Sequence, residues 1–349
     1  MVIPLGLSFD DVLLIPQKSG ISSRSKVSLK TEIAPNFFLE IPIIATNMDT
    51  VTGIEMAVAI SNSGGIAVMP RFDQPNIEAQ KISLVAKKKG RVLAAVGVRD
   101  DYLLRAQLCL KSGAAGLVLD VAHGHMIKVL QAITQLKNRF KNFPLIAGVV
   151  ATGEGAEDLF KAGADTVRVG VGAGSICVTR MMAGCGVPQI TALENTAPIA
   201  RKYKKFVIAD GGAKNSGDLV KALACGASSV VCGSLLAGTD ESPGEIVERN
   251  GIIYKEYNGS TSPKEKDRQM KKHNGHKPDF KLHVEGVEAL VRYKGPVAGV
   301  LDSLGAGIRS GLSYCGAKNI PELWKKAKFM QITNAGLMES RAHSVELSP

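Results

Sequence analysis

Eight short apolar runs, separated by stretches long enough for a helix, constrain this chain more than any other feature. They fall at 42–46, 65–69, 92–96, 116–120, 145–150, 166–170, 206–210 and 228–232. Most of the gaps carry apolar residues at three- and four-residue spacing, as at 101–112, 126–139, 154–162 and 216–225, which predicts amphipathic helices. Alternating strand and helix predicts a parallel sheet with helices on its faces, and eight runs match the strand number of a TIM (β/α)8 barrel. Aromatics make up 5% of the chain, while Gly, Ala, Val and Ile abound, a mix suited to buried parallel strands. We take residues 1–349 as one catalytic domain of that α/β class. An internal echo supports it: Ser112-Gly113-Ala114, Ala162-Gly163-Ala164 and Cys225-Gly226-Ala227 each follow a helical stretch and precede a run. Glycine there suits the left-handed residue that ends a helix.

Polar residues and glycines gather directly after the runs. They are Asn47 and Asp49, Arg71, Asp120 with His123 and His125, the stretch from Gly170 to Thr179, Asp210-Gly211-Gly212, and Gly233-Ser234. In a barrel the strand ends form the catalytic rim, and the loops after the seventh and eighth strands commonly hold phosphate. The most informative stretch is Gly170-Val171-Gly172-Ala173-Gly174-Ser175-Ile176-Cys177-Val178-Thr179-Arg180. Its glycines bare backbone amides that can cradle an anion, and a cysteine beside Thr179 and Arg180 has a route to thiolate chemistry. The bland alternative is a glycine-rich turn with a half-buried cysteine. Cys109, Cys185, Cys225, Cys232 and Cys315 form no C-x-x-C pair, which argues against zinc and CxxC redox sites. His123 and His125 lack an obvious third metal ligand.

The net charge of +11 is spread along the chain, with one concentration between Lys264 and Lys281. Without interleaved aromatics it points away from nucleic acid and toward phosphorylated small molecules or a solvated surface. No apolar run is long enough to span a membrane, and Met1 to Leu14 lacks a signal-peptide pattern. With thiols that read as reduced, this predicts a cytoplasmic protein. Residues 9–16 read as an extended piece ended by Pro16. From about 251 the rhythm stops. Residues 254–285 are polar and basic, so they predict a disordered segment or a functional lid, here called the flap. Helices are expected at 296–312 and 320–329, and the tail at 330–349 shows no strong pattern.

Taken in order, a set of motifs resembles the IMP dehydrogenase/GMP reductase family. They are Phe9-Asp10-Asp11-Val12-Leu13-Leu14, Asn47-Met48-Asp49-Thr50-Val51, Val169 through Cys177, Gly186-Val187-Pro188-Gln189, Ala209-Asp210-Gly211-Gly212, Gly233-Ser234 and Tyr293-Lys294-Gly295-Pro296. The resemblance implies a barrel enzyme, usually a homotetramer, in which a cysteine attacks C2 of a purine nucleotide and a nicotinamide exchanges hydride there. It makes Cys177 the nucleophile and Thr179 and Glu285 the proton-handling residues. It gives the 5′-phosphate to Ser175, Gly212, Gly233, Ser234 and Tyr257, and the ribose to Asp210; Gly211, Gly259, Ser260 and Thr261 complete the nucleotide site. Asp120, Val121, Ala122 and Arg168 would face the coenzyme, and the backbone of Gly172, Gly174 and Cys177 would hold K+ together with the tail. The CBS pair common in the dehydrogenases has no room between Pro70-Arg71-Phe72 and Leu93. Val149 and Val178 depart from the family's usual asparagine and threonine.

Two activities share these motifs. The dehydrogenase oxidises IMP with NAD and hydrolyses the adduct, for which the family supplies a flap Arg-Tyr pair. This flap instead reads Asp267-Arg268-Gln269, Met270-Lys271-Lys272-His273-Asn274-Gly275 and Pro278-Asp279-Phe280. With Ser260-Thr261-Ser262, it resembles the reductase, which takes hydride from NADPH and releases ammonia from GMP. Segments 183–190, 310–317 and 332–340 resemble the dehydrogenase instead. Because the flap carries the reaction-specific step, GMP reductase is the favoured expectation and IMP dehydrogenase the alternative. A catalytically silent nucleotide-binding regulator remains a third reading. An aldolase would need a Schiff-base lysine at a strand end, and none stands out.

Overall fold

In the computed structural model the described residues are 3–99, 101–272 and 284–342. All eight apolar runs form strands: Ile43–Ala45, Ile66–Met69, Val92–Val96, Leu117–Asp120, Leu145–Val150, Thr166–Val169, Phe206–Asp210 and Ser229–Cys232. They close into a parallel barrel in chain order, with Ser229–Cys232 pairing back onto Ile43–Ala45. The expected helices follow as Tyr102–Lys111, Ile127–Arg139, Gly153–Ala162 and Ser216–Ala224. Gly113, Gly163 and Gly226 adopt φ of 97°, 117° and 108°, the left-handed exits that the echo predicts.

Alternation along each strand divides the apolar residues into two layers. Ile44, Leu93, Val118, Ile146, Ile208 and Val231 fill the barrel together with Ile33 and Leu39. Their strand neighbours, such as Ile43, Leu117, Val207 and Val230, pack outward against the helices. The hairpin of Thr31–Ala34 and Phe37–Leu39 closes one end of the barrel. Two buried hydroxyls lock it there: Thr166 Oγ1 donates to the Ile33 carbonyl at 2.5 Å, and Thr31 Oγ1 to that of Ser228 at 2.6 Å.

Three expectations need correction. The described part of 254–285 is no structureless loop. Strand Ile252–Asn258 lies between Ile246–Arg249 and Glu288–Arg292 in an antiparallel sheet, and helix Pro263–Lys272 follows. Ion pairs rather than apolar stripes hold this helix, which is why hydrophobic periodicity misses it: Arg268 bridges Glu245, Glu256 and Glu265. The helix expected at 320–329 ends at Lys326, and Phe329–Gln331 pairs antiparallel with Val12–Leu14 instead. That partner is over 300 residues away, beyond any local signal. The extended piece at 9–16 opens as a 3-10 turn, Phe9–Asp11, fixed by a capping box from Ser8. In the tail, Asn334–Glu339 is helical; residues 343–349 lie outside the described residues.

Candidate active site

The parity that buries Val118, Thr166 and Ile208 carries Asp120, Arg168 and Asp210, two residues further on, to the top of the barrel. Arg168 is buried and ties both carboxylates together. Its Nε and Nη2 donate to Asp210 Oδ2 at 2.9 and 2.5 Å. Its Nη1 donates to Asp120 Oδ1 at 3.3 Å and Asn47 Oδ1 at 3.2 Å. Arg71 Nε donates to the other Asp120 oxygen at 3.1 Å. Burial pushes the Asp120 carboxyl up, but the Arg71 and Arg168 guanidiniums outweigh it and hold the group below its usual range. Burial likewise opposes the Arg168 charge, and Asp210 and Asp120 more than restore it. Asp210 Oδ1 keeps no hydrogen bond among the described residues, so it is available to a ligand hydroxyl.

The cysteine loop leaves strand Thr166–Val169 through Gly170, at φ 147°. A Cβ there would lie 2.0 Å from the Asp210 carbonyl oxygen, so only glycine passes. The segment returning from the flap pairs with this loop. Val178 N–H donates to the Glu285 carbonyl at 2.9 Å, Val287 N–H donates to that of Ile176 at 3.1 Å, and Cys177 bridges Gly286. This short ladder sets three side chains in line. Thr179 Oγ1 donates to Glu285 Oε2 at 2.7 Å and stands 3.1 Å from Cys177 Sγ. Since the threonine proton is given to Glu285, the protonated thiol is the donor to Thr179. The result is a relay, thiol to hydroxyl to carboxylate. Burial raises the thiols of Cys225 and Cys232 to about 12 and also pushes up those of Cys109 and Cys315, which makes all four poor nucleophiles.

Two cavities meet at this loop, sharing Ala173, Gly174 and Gly211 as a wall. The smaller, about 250 Å³, is lined by Ser175, Gly212, Gly233, Ser234 and Tyr257, with Arg180, Gln189, Lys214 and the turn 8–10. Tyr257 is buried, lines this cavity together with Ser175 and Ser234, and has its phenol pushed up chiefly by burial. The larger, about 860 Å³, holds Cys177, Thr179, Glu285, Asp120, Val121, Ala122, Arg168, Asp210, Ser260 and Thr261. That volume suits a nucleotide base with a second planar ring beside it. Gly259 lines neither cavity; it backs against Gly286. Gly172, Gly174 and Cys177 lie in one loop, where Arg180 donates to the carbonyls of Val171 at 3.2 Å and Val187 at 2.6 Å. Residues 273–283, including His273, Asn274, Gly275, Asp279 and Phe280, lie outside the described residues.

The structure adds residues that motif reading left without a role. Arg99, Arg105, Lys266 and Gln269 line the larger cavity. Gln189 is buried and donates from Nε2 to the Val169 carbonyl at 2.7 Å, tying the cysteine loop's base to the next helix. Only its place after Gly186-Val187-Pro188 marked it in the sequence.

A closed parallel barrel with the Cys177, Thr179 and Glu285 side chains in line on its rim, next to a glycine-walled cavity, has the layout of a TIM-barrel enzyme. The family model described as "IMP dehydrogenase / GMP reductase domain" matches residues 6–343, and the chain belongs to that family. It is therefore an oxidoreductase acting on a purine nucleotide with a nicotinamide coenzyme. Inosine-5′-monophosphate dehydrogenase of Nitrosopumilus maritimus is 36% identical over 98% of this chain and 99% of its own length. That of Cryptosporidium parvum is 38% identical over 98% and 96%. A solved GMP reductase from Trypanosoma brucei, in complex with guanosine 5′-monophosphate, superposes with a TM-score of 0.94 at 30% identity, covering 99% of both chains. No described helix is long and apolar enough to cross a membrane.

Proposed function

We propose that the chain reduces GMP to IMP with release of ammonia, using NADPH. The observation that carries this choice is the state of the flap's arginine. Arg268 is the sole arginine of 254–285, and it is tied to Glu245, Glu256 and Glu265 rather than lining the cleft. Hydrolysing an adduct needs a group that activates water; reductive deamination does not. The resemblance assigns that task to an Arg-Tyr pair, which this segment lacks.

In this reading the 5′-phosphate sits among Ser175, Gly212, Gly233, Ser234 and Tyr257, and Asp210 Oδ1 accepts from a ribose hydroxyl. The base then lies against Cys177. The thiol proton passes through Thr179 to Glu285 as the sulfur bonds to C2. The same relay returns a proton to the exocyclic amine, and ammonia leaves as the C2–N bond breaks. The nicotinamide, when bound along Asp120, Val121 and Ala122, supplies the hydride that C2 receives. The C–S bond breaks and its electron pair returns to Cys177. In sum, GMP, NADPH and two protons give IMP, NADP+ and ammonium.

Oxidation of IMP to XMP with NAD is the second reading, favoured by the names of relatives 34–38% identical. K+ on the Cys177 loop, a cytoplasmic location and a homotetramer belong to either reading. Two assays at about 340 nm, where reduced nicotinamide absorbs, test the choice. Loss of absorbance with GMP and NADPH alone supports the reductase. A rise with IMP, NAD and K+ alone overturns it, and silence in both leaves the regulator.

A further inference from the structure

The wall of the smaller cavity contains an ion pair that neither reading uses. Lys214 Nζ lies 2.6 Å from both oxygens of Asp10, and both residues line the cavity together with Ser175 and Ser234. The turn that carries Asp10 is fixed. Ser8 donates from N and Oγ to Asp11 Oδ2 at 2.7 Å each, so Asp11 is consumed within the turn. Lys221 Nζ donates to the Phe9 carbonyl at 2.8 Å, fastening the turn to helix Ser216–Ala224. On the other side, Lys214 N–H donates to Asp218 Oδ2 at 2.9 Å, which fixes its backbone and leaves the side chain to move.

The two side chains are 54% and 40% exposed, so their pairing is weak and easily exchanged. A phosphate monoester carries close to two negative charges at neutral pH and offers three acceptor oxygens, more than one carboxylate does. A bare Asp10 carboxylate facing that dianion would repel it.

We propose that Lys214 is a further phosphate-binding residue, held by Asp10 until a nucleotide binds and then transferred to its 5′-phosphate. Asp10 then works against binding. It competes for the ammonium and adds a like charge at the cavity wall, which favours release of the product nucleotide. The inference rests on the reading that this cavity takes the 5′-phosphate.

The two partners therefore have opposite effects, which a structural clasp would not give. Calorimetric titration of the full chain with GMP, IMP and guanosine tests this. Lys214→Ala should raise the Kd for GMP and IMP by about tenfold, and Lys214→Arg should restore most of it. Asp10→Asn should lower the same Kd values several-fold, and none of the three should change guanosine binding. Asp10→Asn weakening GMP, or leaving it unchanged, overturns the proposal. So does Lys214→Ala weakening GMP and guanosine alike. A wild-type chain that binds guanosine as tightly as GMP overturns the underlying phosphate reading instead.

Discussion

Three side chains, Cys177, Thr179 and Glu285, carry the proposed reaction. The thiol and hydroxyl sit two positions apart on one loop, and the carboxylate comes from 106 residues further along the chain. That separation explains what motif reading could and could not see. Cys177 with Thr179 announces itself in a glycine-dense stretch, whereas Glu285 in a polar segment carries no local signal and came only from the resemblance. Cys177→Ala should abolish turnover and leave the Kd for nucleotide within about threefold, since the phosphate and ribose contacts persist. Retained turnover would remove the thiol from the mechanism. Glu285→Gln keeps the hydrogen bond to Thr179 but not the proton acceptor. It should lower kcat by about a hundredfold or more with little change in KM, measured by steady-state kinetics.

Between elements, the decisive contact is the ladder that joins the cysteine loop to the segment after the flap. It depends on two glycines in face-to-face contact. A Cβ on Gly259 would lie 2.9 Å from the Gly286 Cα, backbone against backbone, so Gly259→Ala must push the returning segment away. A displacement near 1 Å at the relay can cost about a hundredfold in rate. We expect kcat to fall on that scale while the melting temperature drops by only a few degrees; unchanged kcat would show that the ladder does not set the relay. The eight strands were readable from local apolar runs because each is buried on both faces. The flap helix Pro263–Lys272 and strand Phe329–Gln331 were not, because ion pairs and a distant partner hold them. Asp10 and Lys214 went unassigned for the same reason: only the fold brings residues 204 apart together.

Across the whole molecule, the barrel is stapled far from the chemistry as well as near it. Asp165 accepts from Lys137 Nζ at 2.5 Å, Lys205 Nζ at 3.0 Å and the Leu145 N–H at 2.9 Å, joining three successive βα units. Burial raises its carboxyl, but these donors outweigh burial and hold it below the usual 3.8. A folded-state pKa below the unfolded one adds stability above the unfolded pKa, and that stability is lost as pH falls through the folded pKa. Asp165→Asn should therefore lower the melting temperature at neutral pH and flatten its fall below about pH 4. An unchanged acid limb would assign that limb to other carboxylates. The central step of the proposed reaction is hydride transfer to C2 of a purine held on Cys177. The most direct test is the mass spectrum of the purine product after GMP is incubated with NADPH deuterated at both C4 positions. The expected product is IMP carrying one deuterium at C2, with one equivalent of ammonia. IMP without deuterium, or no conversion of GMP, would contradict it.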